Sequence, residues 1–230
     1  MAQPIENQDQ ARITLTMVRE NRKVQTLITD ANEVLRAMGY TEHGHRHAGI
    51  VSSITRYILE NLGVIGREAE LGQIAAYLHD IGNAINRQGH PMSGANLAYH
   101  LLTEMGMDIA EITPIIAAIG NHEELSGNPI SRMSAALIIA DKSDVHCSRV
   151  QETDLSKFDI HDRVNFAVKK SRVDMDRDER TIRLAIEIDQ SFATVMEYFE
   201  IFLSRMVMCR ASAKIFGYRF QLEANGTLLE

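Results

Sequence analysis

Apolar residues recur at helical spacing along most of the chain up to about residue 150. The clearest case is residues 67–81, where Leu71, Ile74, Ala75 and Leu78 follow the i, i+3, i+4, i+7 spacing of a buried helix. Residues 11–38 are predicted to form two helices or one bent helix. Another helix is predicted to begin near the histidines His43, His45 and His47 and to end near Gly63. Three more are predicted over residues 90–105, over residues 115–121, and after the cap residue Ser131. This part of the chain is therefore predicted to be helical.

Two helix boundaries carry specific signals. Thr113 followed by Pro114 combines a cap residue with proline at the first helical position, so it predicts the start of the helix over residues 115–121. Gly82 follows the helix over residues 67–81 and is expected to end or bend it.

The pattern changes after about residue 150. Residues 181–189 alternate between apolar and polar positions, which predicts a β-strand. Residues 173–180 are strongly charged and are interpreted as a turn before that strand. A long helix over residues 192–216 and a strand over residues 218–223 follow, and Asn225-Gly226 is typical of a hairpin turn.

These elements predict a mainly α fold with a small α+β strand-helix-strand appendage at the C-terminal end. We predict a helical lead-in over residues 1–39, a helical core over residues 40–150, and an appendage over residues 151–230 packed on that core. Residues 1–10 are polar and are expected to be frayed.

The composition favours a cytoplasmic protein that binds neither membranes nor nucleic acids in general. The 230 residues are 45% hydrophobic and carry a formal net charge of −7, which disfavours polyanionic partners. Cys147 and Cys209 form no disulfide framework, and the N-terminal residues resemble no signal peptide. A local basic pocket could still hold a phosphate.

Histidine and aspartate residues cluster at the ends of the predicted helices. Burial of an ionised carboxylate is costly unless it is paired or binds a metal, and neighbouring His and Asp offer nitrogen and oxygen ligands. The candidate ligands are His47, His79, Asp80, His90, His122 and Asp141. Such a set can hold two divalent ions, which could clamp a phosphoryl oxygen and activate water for hydrolysis of a phosphoester.

The order of these residues resembles the HD-domain superfamily of metal-dependent phosphohydrolases. A first His, a His-Asp pair and a late Asp bind metal in that family, and the positions matching here are His47, His79, Asp80 and Asp141. The resemblance covers residues 40–150. It implies an HD-domain helical bundle that cleaves a phosphoester of a nucleotide or a small phosphorylated metabolite with a metal-bound hydroxide.

A narrower resemblance is to HD-GYP-like and other dinuclear HD proteins. Residues 90–94 resemble their His-Pro-x-x-Gly segment, and residues 121–129 resemble a degenerate form of the segment that gives HD-GYP proteins their name. Asn121 stands where many of those proteins have another His, and Asn128-Pro129 replaces Gly-Tyr-Pro. These departures disfavour cyclic-dinucleotide phosphodiesterase activity.

The resemblance implies two ions that share Asp80. One ion would be bound by His47, His79, Asp80 and Asp141, and the other by Asp80, His90 and His122. Fe or Mn is favoured, with Mg, Ni, Co or Zn as alternatives. Beside the catalytic Asp80, the residues predicted to contact a small, nucleotide-like substrate are Lys142, Arg46 and His43.

Several alternatives remain open from the sequence. His43 shares a helix face with His47 if the helix extends that far, and is otherwise a surface residue. Lys142 and Arg46 could be salt-bridged cations instead of phosphate ligands, and His90 could have no metal role. An HD-type diiron oxygenase and a non-catalytic nucleotide-sensing module remain alternative functions, and a homodimer is an open prediction.

Overall fold

The computed structural model describes residues 12–229, and the frayed segment predicted over residues 1–10 lies outside that range. The helices are α1 (Leu15–Glu20), α2 (Arg22–Ala37), α3 (His45–Asn61), α4 (Arg67–Leu78), α5 (His90–Glu104), α6 (Ile109–Gly120), α7 (Arg132–Ser143), α8 (Ile160–Ala167) and α9 (Val195–Ile215). The strands are β1 (Val168–Asp176), β2 (Thr181–Ile188), β3 (Arg219–Ala224) and β4 (Thr227–Leu229). The predicted fold class, mainly α with a small α+β C-terminal part, is confirmed.

α4 lies at the centre of the helical part of the fold. Its residues 71–78 are all buried, and the helix packs against α1, α3, α6 and α7. Each fully buried aliphatic side chain of this kind stabilises the fold by about 1.5–3 kcal/mol. Gly72 allows α3 to come close, since a Cβ at this position would clash with Leu59. This packing fixes the C-terminal end of α4, where His79 and Asp80 follow.

The chain turns sharply after α4. The helix ends at Leu78, not at Ile81 as predicted, and a 3-10 turn over Ile81–Ala84 comes next. Gly82 is needed in this turn because a Cβ there would clash with the carbonyl oxygen of His90. This close approach places the start of α5 against the end of α4.

The predicted start of α6 at Thr113-Pro114 is wrong. α6 begins at Ile109, where the side chain of Asp108 accepts a hydrogen bond from the backbone N–H of Ala110. Pro114 lies inside the helix and removes one backbone hydrogen bond. The Asp108 cap and burial of the apolar face of α6 stabilise the helix despite that loss.

The C-terminal part of the described chain forms a four-stranded sheet in the order β1-β2-β3-β4. β1 and β2 are antiparallel, β2 and β3 are parallel and are connected by α9, and β3 and β4 form an antiparallel hairpin. The predicted hairpin turn is confirmed, with φ of 50° at Asn225 and 78° at Gly226. α9 is capped by Thr194 and Glu197 in a reciprocal capping box.

The charged turn predicted over residues 173–180 is mostly wrong. Residues 168–176 form strand β1, and the turn is confined to residues 177–180. The register of β1 against β2 shifts between Val168 and Lys170. That irregularity breaks the alternation of buried and exposed positions on which recognition of a strand depends.

α7 is the helix that joins the helical part to the sheet. Its residues 133–140 are buried, because α3, α4 and α6 of the helical part and α9 and β1 of the C-terminal part all pack on it. As predicted, Ser131 caps α7, accepting a hydrogen bond from Ser134 N–H. Enclosure by both parts of the fold holds the last turn of α7, which carries Asp141, in a fixed position.

Within residues 12–229, no helix combines the length and the apolar character needed to cross a bilayer.

Candidate metal centre

The six predicted ligands come together where the ends of five helices and one 3-10 turn meet. His47 lies in the first turn of α3, His79 and Asp80 follow α4, His90 begins α5, His122 follows α6, and Asp141 lies near the end of α7. All are buried apart from Asp141, whose side chain is 13% exposed. The cluster is therefore built by the packing of helices rather than by a surface loop.

Three of the four imidazole rings are oriented by a backbone carbonyl three residues earlier in the chain. The Nδ1 atoms of His79, His90 and His122 lie 2.8, 2.9 and 2.6 Å from the carbonyl oxygens of Ala76, Arg87 and Ile119. A carbonyl oxygen only accepts hydrogen bonds, so each Nδ1 must donate. The lone pair available for other interactions is then on Nε2.

His47 is oriented by a carboxylate instead. Its Nδ1 donates to Asp144 Oδ2 at 2.7 Å, and Arg46 donates to both oxygens of Asp144 at 3.0 and 3.1 Å. Burial alone would raise the pKa of Asp144, but the hydrogen bond from His47 and the charge of Arg149 hold it well below its usual range. Asp144 is therefore ionised and accepts the hydrogen bond from His47 Nδ1.

The Nε2 atoms of the four rings face one another in two pairs. His47 Nε2 lies 3.3 Å from His79 Nε2, and His90 Nε2 lies 3.1 Å from His122 Nε2. Two lone pairs at such distances are compatible only with a proton or a metal ion beside them. Burial lowers the pKa of His90 to about 3 despite the opposing charge of Asp80, so the His90 ring is neutral at physiological pH.

Asp80 lies between the two pairs. Its Oδ2 is 3.3 Å from His79 Nε2 and 3.6 Å from His47 Nε2, whereas its Oδ1 is 3.4 Å from His90 Nε2 and 3.8 Å from His122 Nε2. Burial alone would raise the pKa of Asp80, but the charge of His79 holds it well below its usual range. Each carboxylate oxygen thus faces a different histidine pair.

Asp141 adds a second carboxylate to one pair only. Its Oδ1 is 3.2 Å from His47 Nε2 and 3.6 Å from His79 Nε2. Burial alone would lower the pKa of His79, but the carboxylates of Asp80 and Asp141 raise it to about 10. The two carboxylates thus favour the protonated form of His79.

The donor set fits divalent metal ions. Asp80 Oδ2 is buried and has no hydrogen-bond partner among the described residues, which is costly unless a cation is bound. The ligand atoms of His47, His79 and Asp141, and those of His79, Asp80 and His122, lie within 4.8 Å of one another. Imidazole nitrogen and carboxylate oxygen together suit Fe, Mn, Co, Ni or Zn.

The three residues predicted to contact substrate have different surroundings. Lys142 is buried and lies 2.7 Å from Asp141 Oδ2 and 3.3 Å from Glu124 Oε1. Arg46 is engaged by Asp144. His43 lies before the first residue of α3, so it does not share a helix face with His47, contrary to the prediction. The His43 ring nevertheless lies 5.3 Å from the His47 ring in an edge contact.

His43 is the predicted contact residue that lines an open cavity. This cavity has a volume of about 580 Å³ and lies between the end of α2, the loop after α6, and helices α8 and α9. Among the residues lining it are Arg87, Glu123 and Arg205, which the sequence did not single out. The side chain of Glu123 is 3.2 Å from His90 Nδ1, so the cavity reaches the residues that surround the metal ligands.

Asp144 is a further residue that sequence reasoning missed. It lies three positions after Asp141 in the segment that carries the late aspartate, so a second acid was visible there. Its partner His47 is 97 residues away in the chain, and no local spacing pointed to that hydrogen bond. The residues His100 and His45 are exposed.

The helical part is similar to known proteins. Residues 44–146 match the family model of the HD domain. An uncharacterised protein of Methanocaldococcus jannaschii is 25% identical to the chain over 191 residues, which cover 73% of each protein. The crystal structure of a predicted HD superfamily hydrolase from an uncultured Thermotogales bacterium superposes with a TM-score of 0.44 and 26% identity, covering 58% of this chain and 75% of that one.

Proposed function

Since residues 44–146 match the HD-domain family model, we propose that the chain is a metal-dependent phosphohydrolase of the HD-domain superfamily. The substrate we propose is a phosphoester of a small metabolite or nucleotide. The observation that carries the proposal is the position of Asp80, whose two oxygens face two separate pairs of histidine Nε2 atoms. A carboxylate shared in this way is suited to two ions side by side.

We assign one ion to His47, His79, Asp80 and Asp141, and the other to Asp80, His90 and His122. Divalent ions held there would act as Lewis acids that polarise a phosphoryl oxygen and activate water. The protein residues hold the imidazole rings with Nε2 turned toward the centre, since every Nδ1 is already donating to an acceptor.

His43 is suited to accept a hydrogen bond in the cavity. Its Nδ1 lies 2.6 Å from the carbonyl oxygen of Thr41 and must donate, which leaves the Nε2 lone pair available. Burial and the charge of Arg149 hold the pKa of His43 well below its usual range, so the ring is neutral at pH 7. We assign His43 to bind a substrate hydroxyl or the attacking water.

Lys142 and Arg46 act through carboxylates in this proposal. Lys142 pairs with Asp141 Oδ2, which leaves Oδ1 directed at the His47–His79 pair. Arg46 donates hydrogen bonds to Asp144, and Asp144 accepts the hydrogen bond that orients His47. Both cations therefore position ligands, and neither needs to contact the phosphate itself.

The size of the cavity supports a nucleotide-sized substrate. A volume of about 580 Å³ lies within the usual range of small-molecule sites, which is roughly 300–1,000 Å³. Arginine and histidine side chains on its wall are suited to anionic and hydroxyl groups. A nucleoside monophosphate or a phosphorylated sugar fits these requirements.

Metal analysis followed by activity screening tests the proposal. Protein purified without chelators is expected to contain up to two transition-metal ions per chain and to release phosphate from some member of a panel of nucleotides and phosphomonoesters. His79→Ala should lose both bound metal and activity, whereas the exposed His100→Ala should keep both. Unchanged metal content in His79→Ala would sink the assignment. Substrate-dependent oxygen uptake without phosphate release would favour a diiron oxygenase instead.

A further inference from the structure

Arg87 contacts both nitrogens of one metal-ligand candidate. Its backbone carbonyl accepts the Nδ1 hydrogen of His90 at 2.9 Å, and its side-chain Nη1 lies 3.3 Å from His90 Nε2. A guanidinium group can only donate hydrogen bonds, so here Nε2 of His90 is the acceptor. The side chain of Arg87 therefore uses the lone pair with which His90 would bind a metal ion.

Arg87 has weak partners apart from His90. Its Nη2 lies 3.5 Å from Glu123 Oε1, which is long for a charge-assisted hydrogen bond, and its guanidinium carbon lies 5.8 Å from the centre of the Tyr40 ring. Arg205, another arginine that lines the cavity, is held more firmly. It lies 3.1 Å from Glu124 Oε1 and 4.4 Å from the centre of the Phe202 ring.

A metal ion on His90 changes the environment of Arg87. The ion takes the Nε2 lone pair, so the guanidinium loses its acceptor and is repelled by the new positive charge. The side chain lines the cavity, so a small rotation moves its donors toward the open space. An anion between the ion and the guanidinium would satisfy both charges, and a phosphoryl group suits the planar fork of arginine.

We propose that Arg87 is a metal-coupled phosphate-binding residue, which occupies His90 Nε2 in the metal-free protein and binds a phosphoryl oxygen of the substrate once His90 holds a metal ion. This inference rests on the proposed function for its substrate. The competition between Arg87 and a metal ion for His90 Nε2 is inferred from the observed contacts alone. It makes Arg87 a determinant of both metal affinity and specificity for phosphorylated ligands.

Substitution of the Arg87 side chain tests the two parts separately, because the backbone carbonyl that orients His90 remains. In titrations of metal-free protein with Mn²⁺ alone, Arg87→Gln is expected to bind the second ion several-fold more tightly than the unmodified protein. In titrations of the Mn²⁺-loaded protein with inorganic phosphate, the same variant is expected to bind on the order of 10- to 100-fold more weakly.

Two further variants make the result specific. Arg87→Lys keeps the charge but not the fork, so its phosphate affinity should lie between those of Arg87→Gln and the unmodified protein. Arg56→Gln removes an exposed arginine that pairs with Glu60 within α3, and it should change neither titration.

The outcomes separate this inference from the proposed function. Tighter Mn²⁺ binding together with weaker phosphate binding supports the role of Arg87, whether or not a substrate has been found. Unchanged phosphate affinity in Arg87→Gln, or weaker Mn²⁺ binding in that variant, overturns it. If metal-dependent phosphohydrolysis is measured and the KM of Arg87→Gln equals that of the unmodified protein, the inference fails while the proposed function stands.

Discussion

The two halves of the centre share Asp80 but differ in the charges around them. His47 and His79 face Asp80 Oδ2 and also the carboxylate of Asp141. His90 and His122 face Asp80 Oδ1, and the nearest charged donor on that side is the guanidinium of Arg87. A carboxylate attracts a divalent ion and a guanidinium repels it. The half that contains Asp141 should therefore bind its ion more tightly.

The hydrogen-bond partners that orient the imidazole rings also favour tighter metal binding in the half that contains Asp141. His47 donates its Nδ1 hydrogen to the carboxylate of Asp144, which Arg46 supports. His79, His90 and His122 donate to neutral backbone carbonyls, and the Glu123 carboxylate also lies 3.2 Å from His90 Nδ1. A carboxylate partner makes an imidazole a more basic ligand. The comparison indicates one tightly bound ion and one that exchanges more readily, with Arg87 beside the exchangeable ion.

Removal of the shared carboxylate is expected to have the largest effect. Asp80→Asn should lose both ions and reduce phosphohydrolase activity by on the order of 10³-fold or more. The reason is that each carboxylate oxygen of Asp80 faces one of the two halves, and the substitution removes the negative charge that both oxygens share. Metal content and phosphate release measure the result. Asp178→Asn, in the exposed turn after β1, is the matched control. Retention of one ion at unchanged affinity would show that Asp80 belongs to one half only.

Removal of one histidine from each half should distinguish the two sites. His122→Ala is expected to retain one Mn²⁺ ion per chain at high affinity, because His47, His79 and Asp141 remain. His47→Ala is expected to lose that high-affinity ion. Calorimetric titration with Mn²⁺ gives both stoichiometry and affinity. Equal loss in the two variants would contradict the difference between the halves and indicate a single cooperative site.

Asp144 tests the contribution of ring orientation. Asp144→Asn removes the charge that holds the His47 Nδ1 hydrogen and should weaken binding of the tightly held ion by roughly 10- to 100-fold. The affinity of the other ion should change little, since its histidines rely on carbonyls. An equal loss at both ions in Mn²⁺ titrations would argue that Asp144 acts on the whole fold, which thermal melting of the metal-free protein would reveal.

The sequence was informative where chemistry and local pattern coincide. The metal-ligand candidates lie at predicted helix ends, and the alternation over residues 181–189 predicted β2 almost to its ends. The helices of the core were predicted from the sequence because their apolar spacing is a direct consequence of burial on one face. The roles of these residues as ligands remain predictions until metal is measured.

The remaining features depend on contacts between distant parts of the chain. Strand β1 was missed because the register shift near Val168 hides its alternation. Pro114 misled the prediction because the Asp108 cap starts the helix a turn earlier. The interactions of Asp144 with His47 and of Arg205 with Glu124 join elements that are far apart in sequence. Side-chain partners of this kind follow from packing and have no local pattern.

The dependence of metal binding on pH is predicted to be gradual, with a change of about tenfold for each pH unit. The carboxylates of Asp80 and Asp141 raise the pKa of His79 to about 10 against the effect of burial, so His79 is protonated near pH 7 in the metal-free protein. Metal binding must release that proton, and the affinity of the tightly held ion should rise about tenfold per pH unit from pH 6.5 to 8.5. His90, with a pKa lowered to about 3 by burial, releases none in this range. Calorimetry in buffers of different ionisation enthalpy counts the protons, and a count of zero for the first ion would contradict the charged state of His79.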